Sequence, residues 1–576
     1  MRFVLVDNLI YEGPHTAPKY DLQPHLGLLS LAAAVRANGH EPEIYDPKLD
    51  LLHGHLRLES SLYEKFALRI LEQHPDVVGF TALGCNFNCV VKVAGHIKRL
   101  IPELPVLLGG PHATILHREI LERFSSFDVV VRNEAEQTLP PLLNRLAGMD
   151  IDDLPGVSYR NRYGEMICNP GNPIIEDLDQ LPIPAYDCYP IHELELPAIR
   201  VEAGRGCPFS CTFCSTASFF GRSYRLKSTA RLLAEMDGLN SIYGFNVFKL
   251  NHDLFTVNRK KVVEFCHAML ERDYTWSCSA RVDCVDPDLL ELMWEAGCRD
   301  IYFGIESGSA RMQAICRKRL DLDLVEPTLD ITSRLGIRTV TSFITGYPEE
   351  EKEDQDSTLN LAARLLCRPD RLNESQLHLL APEPGTQLTA QYGKQLFYDG
   401  YITDFNFPWL ESDDRSLLVG DPVIFANHHY FPSSLPRDQH VFVTSTWRAL
   451  RKAGRTVMAY VLQAFDGKLS TFMDELYGWR ATRPDHARPV SVEDIAGFMM
   501  SAEERHRLVH RPQDQGDTKG ATKDDREHKE ELFVALGLLL LSGSDGMGQK
   551  LKARPDLGLI ASSAKQMARA NASRWN

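Results

Sequence analysis

The chain has 576 residues, 44% of them hydrophobic and 24% charged, with 63 Lys and Arg against 78 Asp and Glu for a formal net charge of −15. That is an ordinary globular mixture, long enough for roughly three or four domains at about 150 residues each, and it excludes collagen, coiled-coil and wholly disordered chains. A net negative chain also argues against broad electrostatic binding of nucleic acid. Phe3–Val6 is an apolar run that ends at Asp7, too short for the core of an export signal. The apolar run from Leu532 to Leu541 is about half a membrane span and reads as a buried helix. Thirteen cysteines in a chain without such signals point to a reducing compartment, so the expectation is a cytoplasmic protein with no membrane or nucleic-acid partner.

In chain order, short β-rich runs come first at Phe3–Val6, Glu43–Tyr45, Val77–Phe80, Val106–Leu108 and Val129–Val131. Helical-period segments alternate with them at Leu28–Ala37, Leu62–Gln73, Val90–Leu100, Arg118–Phe124 and Thr138–Leu146. Near-continuous apolar strands separated by helices predict a doubly wound parallel sheet over residues 1–147, with ligands bound beyond the strand C-terminal ends. The small or polar residues at those ends are Asp7-Asn8, Thr81-Ala82-Leu83-Gly84 and Gly109-Gly110-Pro111-His112. Residues 148–196 are rich in Pro and Gly and read as a connector.

A second series of strands is expected at Ala198–Ala203, Phe245–Leu250, Trp276–Ala280, Asp300–Ile305, Thr339–Ile344 and Ser375–Leu380. Helical segments fall between most of them, which predicts a partial (β/α)6 barrel of the TIM type over 197–390, with its chemistry at the strand C-terminal ends. Residues 391–510 form a mainly helical accessory region, whose aromatic stretches (Phe397 to Trp409, His428 to Phe431) are either core or a substrate wall. Residues 511–530 read as a polar linker and 531–576 as a helical tail.

Directly after the first barrel strand comes Gly204-Arg205-Gly206-Cys207-Pro208-Phe209-Ser210-Cys211-Thr212-Phe213-Cys214. Three thiols on one glycine-flanked loop can bind three irons of a [4Fe–4S] cube and leave the fourth open. A zinc or redox-sensing site is the competing reading, with His252 or Cys278 as a fourth ligand, but zinc sites usually pair their ligands at other spacings.

The triplet resembles the C-x3-C-x2-C signature of the radical S-adenosylmethionine (SAM) superfamily, including the aromatic Phe213 before the last cysteine. The resemblance implies that the open iron binds SAM, whose reductive cleavage yields a 5′-deoxyadenosyl radical. Gly304-Ile305-Glu306-Ser307-Gly308-Ser309 looks like the family's segment near the SAM amino group and ribose. Ser342 to Pro348, with Gly346, resembles the strand end against the adenine, and Ala381 to Thr386 the turn after the sixth strand. Arg281, in Ser279-Ala280-Arg281, and Asn251-His252-Asp253 occupy strand ends that face SAM in this reading.

Thr81-x-Leu83 and Gly109-Gly110 resemble two of the three motifs of cobalamin-binding, Rossmann-like domains. Gly110-Pro111-His112-Ala113 and Arg132-Asn133-Glu134-Ala135-Glu136 resemble the first domain of cobalamin-dependent radical SAM proteins, with Asn133 and Ala135 where the family has glycines. The third motif, D-x-H-x-x-G, is absent: Leu9 and Glu12 stand where it needs His and Gly, so no cobalt ligand is expected from that loop. His25 and His112 are the other histidines near the strand ends. The resemblance spans about residues 1–390 and implies a methyltransferase of class B type, acting on an unactivated carbon of a natural-product or peptide substrate. Methylcobalamin would deliver the methyl group, and a reductase or flavodoxin-type partner the electron. Cyclisation, ring contraction or oxidation with the same cofactors is the alternative.

Overall fold

The computed structural model describes residues 1–10, 22–401, 406–484 and 488–500. The expected linker 511–530 and tail 531–576, with the run from Leu532 to Leu541, lie outside these residues, as do Glu12 and Phe405. No helix among the described residues is long and apolar enough to cross a membrane.

The chain opens with β1 (Arg2–Val6), α1 (Leu26–Ala37), β2 (Glu41–Tyr45), α2 (Pro47–Leu52), α3 (Leu62–Leu71), β3 (Val77–Thr81), α4 (Phe87–Leu100) and β4 (Val106–Gly109). Then come α5 (Pro111–Ile115), α6 (His117–Arg123), β5 (Val129–Val131) and α7 (Leu139–Arg145). The expected strands are all present. Every residue of β3 and β5 is buried, which is what a parallel sheet covered on both faces demands. The sheet does not stop at β5. Inside the expected connector, β6 (Val157–Arg160) and β7 (Met166–Cys168) add two antiparallel strands, giving the order β2-β1-β3-β4-β5-β6-β7.

Next come β8 (Ile199–Glu202), β9 (Gly204–Arg205), α8 (Thr216–Phe220), β10 (Arg225–Leu226), α9 (Thr229–Tyr243), β11 (Val247–Asn251), α10 (Arg259–Met269), β12 (Thr275–Ala280) and α11 (Pro287–Glu295). They are followed by β13 (Cys298–Glu306), α12 (Ala310–Ile315), α13 (Val325–Leu335), β14 (Arg338–Thr345), α14 (Lys352–Leu366) and β15 (Asn373–Leu379). The order β15-β14-β13-β12-β11-β8 is chain order across the sheet, as a partial (β/α)6 barrel requires. The short β9 and β10 pair antiparallel beside it.

The remaining helices are α15 (Gln387–Tyr392), α16 (Asp414–Gly420), α17 (Arg437–Ala453), α18 (Arg455–Ala464), α19 (Leu469–Ala481) and α20 (Val492–Met500). The single helical stretch expected near Val441–Leu462 is two helices, because Gly454 between them takes φ +103°. Two compact units divide within β13. One holds the described residues of Met1–Tyr302, Cys316–Lys318 and Ala381–Pro432; the other holds Phe303–Ile315, Arg319–Leu380 and the described residues from Ser433.

In the first unit, part of the late aromatic stretch is core. Phe407 and Phe425 belong to the apolar cluster under the first sheet. Phe87 is fully buried there, its ring centroid 5.8 Å from Phe425 and about as close to Phe124 and Phe127. Deleting this ring leaves a cavity walled by three others, which relaxes poorly. Phe87→Ala is expected to destabilise the first unit by about 3–5 kcal/mol, measured as a lower urea midpoint with an unchanged slope.

Candidate functional site

The C-terminal ends of β1, β3 and β4, with the start of α1, enclose a cavity of ≈ 270 Å³. Thr81, Leu83, Gly109 and Gly110 all line it, together with Leu28 and Glu136. Glycine is required at 110: its φ is +93°, and a Cβ would sit 2.8 Å from the backbone of Ala82 and from Thr81 Oγ1. At Gly79 a Cβ would meet the Phe3 ring at 2.6 Å. Small residues thus let the sheet's own backbone form the cavity wall, a cradle that suits a bulky group with a narrow tail.

His25 is part of this wall and caps α1, its Nδ1 accepting the Leu28 N–H at 3.2 Å. Burial lowers its pKa, so the ring is neutral. His112 is not in the wall; it packs against Phe87 at 4.7 Å. Asp7 is sealed away, bonded to Lys48 at 2.6 Å, with Asp46 3.0 Å from the same ammonium. Burial would raise the Asp7 pKa, but Lys48 outweighs it and holds the carboxylate below its usual range.

One part of the wall is a buried charge network. Arg205, from β9, bonds Glu134 at 2.8 Å, Glu136 at 2.7 Å and Glu202 at 2.8 Å. Arg225 holds Glu134 from β10 at 2.8 Å, and Lys227 holds Glu235 at 2.9 Å. Burial alone would penalise the Arg205 charge, and the glutamates overturn that penalty, raising its pKa well above the ordinary value. The segment 132–136 and Arg205 were visible in the sequence as separate motifs. Their pairing, and the roles of Glu202, Arg225 and Glu235, were not, since no local pattern records a partner 70 residues away.

Arg205 leads directly into the cysteine loop. Gly204 and Gly206 are both obligatory, because a Cβ at either would lie 2.1–2.2 Å from a carbonyl oxygen of the β10 strand region, Arg225 O or Ser223 O. Cys207, Cys211 and Cys214 are half-buried and not in disulfides. Burial pushes the Cys207 thiol up to about 11, with smaller contributions in the same direction from Cys214, Asp253 and Cys211. The three sulfurs do not all lie within 4.8 Å of one another, the spacing met among the described residues by Glu411, Asp413 and Asp414. Sulfurs on one tetrahedral zinc would be only ~3.8 Å apart at Zn–S ≈ 2.3 Å. Three soft donors on one loop suit an iron–sulfur cube, which takes one protein ligand per iron. Cys278, the alternative fourth zinc ligand, is buried beside Cys298.

Arg281 buttresses this loop. Its guanidinium bonds Asp283 at 2.7 Å and the Lys318 carbonyl at 3.0 Å, and stacks 4.0 Å over Phe209. Its Nη1 has no partner among the described residues. Thr212 N–H, beside Phe213, donates to the Cys316 carbonyl at 2.9 Å.

In the second unit, Glu306 ends β13 with φ +70°, a left-handed conformation that a buried glutamate adopts only under constraint. Ser307 is fully buried and its hydroxyl is committed to Thr358 Oγ1 at 2.9 Å and the Ser309 N–H at 3.1 Å. It thereby braces the turn that carries Glu306. Gly346 has φ +99° and donates its N–H to Glu350 Oε2 at 2.7 Å, while Thr345 donates to the same oxygen at 2.8 Å. Neither sequence pattern nor motif marked Glu350. Burial raises its pKa to about 7 and lowers that of His440, 3.6 Å away, to about 4, so the imidazole is neutral and the contact is not an ion pair.

Replacing any of Cys207, Cys211 or Cys214 by alanine is expected to abolish bound iron after anaerobic reconstitution, read by metal analysis and loss of the brown charge-transfer absorbance. Glu350 yields a pH prediction. Its folded pKa lies above the unfolded value of 4.5, so the stability it contributes is complete below pH 4.5 and is lost as pH rises through about 7. Glu350→Gln is expected to match the unsubstituted protein at low pH and exceed its stability by about 2–3 kcal/mol at pH 8, read from denaturant midpoints.

The model of the radical SAM superfamily matches residues 201–362, and that of the B12 binding domain matches residues 17–143. An uncharacterized methyltransferase of Pyrococcus horikoshii is 30% identical over 371 residues, 63% of this chain and 77% of that protein. The anaerobic magnesium-protoporphyrin IX monomethyl ester cyclase of Rubrivivax gelatinosus is 26% identical over 447 residues, 74% of this chain and 78% of its own. The fold is similar to that of the radical S-adenosylmethionine methyltransferase TsrM of Kitasatospora setae, solved with cobalamin and a [4Fe–4S] cluster bound, with a TM-score of 0.60 at 15% identity over 80% of this chain and 94% of that one. By these matches to its two domains and along its length, the chain belongs to the cobalamin-dependent radical SAM enzymes.

Proposed function

We propose that this enzyme methylates an unactivated carbon of a small natural product or peptide. The observation that carries the reading is the buried Arg205 network. It ties the wall of the glycine-cradled cavity to the strand that delivers the cysteine triplet, so the groups that would hold cobalamin and cluster are braced against each other within one compact unit. The methyltransferase relatives support it.

Bound in place, the cluster supplies the electron that cleaves SAM to a 5′-deoxyadenosyl radical, and cobalamin supplies a transferable methyl group. In this reading Cys207, Cys211 and Cys214 grip three irons. Thr81, Leu83, Gly109 and Gly110 receive the cobalamin tail. Phe213, Arg281 through its unpartnered Nη1, Glu306 and Gly346 contact SAM, and Ser307 holds the Glu306 turn in shape. In this reading 1–147 holds cobalamin, with β6 and β7 of the expected connector 148–196 completing its sheet, 197–390 is the barrel and 391–510 a substrate-shaping region. The electron comes from a reductase or flavodoxin-type partner, as family membership implies. None of the thirteen cysteines is in a disulfide, which supports a cytoplasmic location.

The test is anaerobic reconstitution with iron, sulfide and hydroxocobalamin, then incubation with SAM, a reductant and candidate substrates. S-adenosylhomocysteine together with a product heavier by one methyl is the expected outcome. The cyclase among the relatives favours a second reading, radical ring closure without methyl transfer; 5′-deoxyadenosine with no methyl gain would establish it and overturn the first.

A further inference from the structure

A second cluster of buried polar side chains lies in the first unit, apart from the cavity wall. Glu383, in the turn after β15, accepts a hydrogen bond from Asn427 Nδ2 at 2.6 Å. Asn427 is 3% exposed, yet its Oδ1 has no partner among the described residues. That oxygen occupies the place of the Cβ that Gly84 lacks, 1.6 Å from where it would stand, and His112 Nδ1 is 3.1 Å from the same point. The ring of buried His112 meets only the Ile424 backbone, and Nε2 of buried His428 has no partner among the described residues. Asn427 is held by its backbone, whose carbonyl accepts from Asn406 Nδ2 at 2.8 Å.

Native interiors rarely leave so many polar atoms unmatched, since each costs about 1–3 kcal/mol. Their position suggests what matches them. Ser218 Oγ, just beyond the cysteine loop, donates to the Gly385 carbonyl at 2.6 Å, and Leu388 N–H donates to the Thr212 carbonyl at 3.1 Å, so the Glu383 turn is pinned to the cysteine loop. On the other side, Gly84 follows Leu83 of the cavity wall. The cluster therefore touches both cofactor-binding elements, where a substrate must be held.

We propose that Glu383, Asn427, His112 and His428 form a substrate subsite for an amino group. This deepens the proposed function and rests on it. No ion pair to Glu383 occurs among the described residues, so the cluster has nothing to neutralise an anionic ligand. Burial lowers His112 to about 3 and His428 to about 4, so both imidazoles are neutral and offer acceptor nitrogens. Burial also lifts the Glu383 carboxyl to about 7, the state of an acid waiting for a counter-charge. An ammonium group brings that charge and three donors, against the acceptors at Glu383, Asn427 Oδ1 and the imidazoles.

The probes are n-hexylamine and hexanoate, titrated into the cluster- and cobalamin-loaded enzyme at about pH 8 and followed by calorimetry. Saturable binding of hexylamine, with hexanoate at least tenfold weaker, is expected. Glu383→Gln, which keeps the shape and can still meet Asn427, should weaken hexylamine at least tenfold at unchanged iron and cobalamin content. Should that variant fail to load its cofactors, the amine-over-carboxylate preference of the unsubstituted enzyme decides alone. Equal binding of the two probes, or no saturable amine binding, would mean the cluster holds only ordered water and overturns the subsite. Release of 5′-deoxyadenosine from SAM in the same preparation separates the two claims: present with failed amine binding, it sinks the subsite alone; absent, it sinks the enzymatic reading beneath it.

Discussion

The geometry of this protein's first unit depends on a guanidinium buried among carboxylates. Taking Arg205 out of water is costly, and only close partners on several sides offset it. Glu134 and Glu136 come from the segment after β5, Glu202 from the strand just before, and Arg225 closes the far side of Glu134. Displacing any of these strands would strand a charge in a low-dielectric interior. The arrangement contributes little net stability, but it defines where each strand end must lie, and Cys207 is two residues from Arg205.

The same logic of neutralisation recurs with different chemistry elsewhere. Where cations are at hand, as at Arg205 or Lys48, burial is met by ion pairs. Where none is near, as at Glu350 and Glu383, burial favours the protonated acid. The first kind braces loops permanently. The second leaves groups whose charge depends on what arrives beside them.

Much of the fold was legible because it is written in local patterns. Apolar runs such as Val129–Val131 can only be central strands, and three cysteines within eight residues can only be gathered on one loop. The two glycines at 109 and 110 announced a close backbone approach, and Gly110 shows it. What stayed hidden depends on distant partners. Arg281 reads in sequence as a polar strand end facing a ligand, yet most of its guanidinium is spent on Asp283, Lys318 and Phe209. Ser307 reads as part of a SAM-binding segment, and its buried hydroxyl bond to Thr358, which braces the turn, is invisible in the sequence. Glu350 and Asn427 sit in no motif at all, and their importance comes from burial, which composition does not reveal. The β6–β7 pair escaped notice because its strands are short and flanked by turn-forming residues, the same signals that mark a linker.

That pair has a practical corollary for dissecting the molecule. Val129–Val131 sits against Val157–Tyr159, which in turn pairs with Ile167 and Cys168. A fragment cut at the last helix of the β/α alternation would bare a three-valine edge with its amides unsatisfied, an invitation to intermolecular zippering. Retaining the hairpin through Cys168 keeps that margin covered, so excision of the amino-terminal lobe should begin its search for a boundary there.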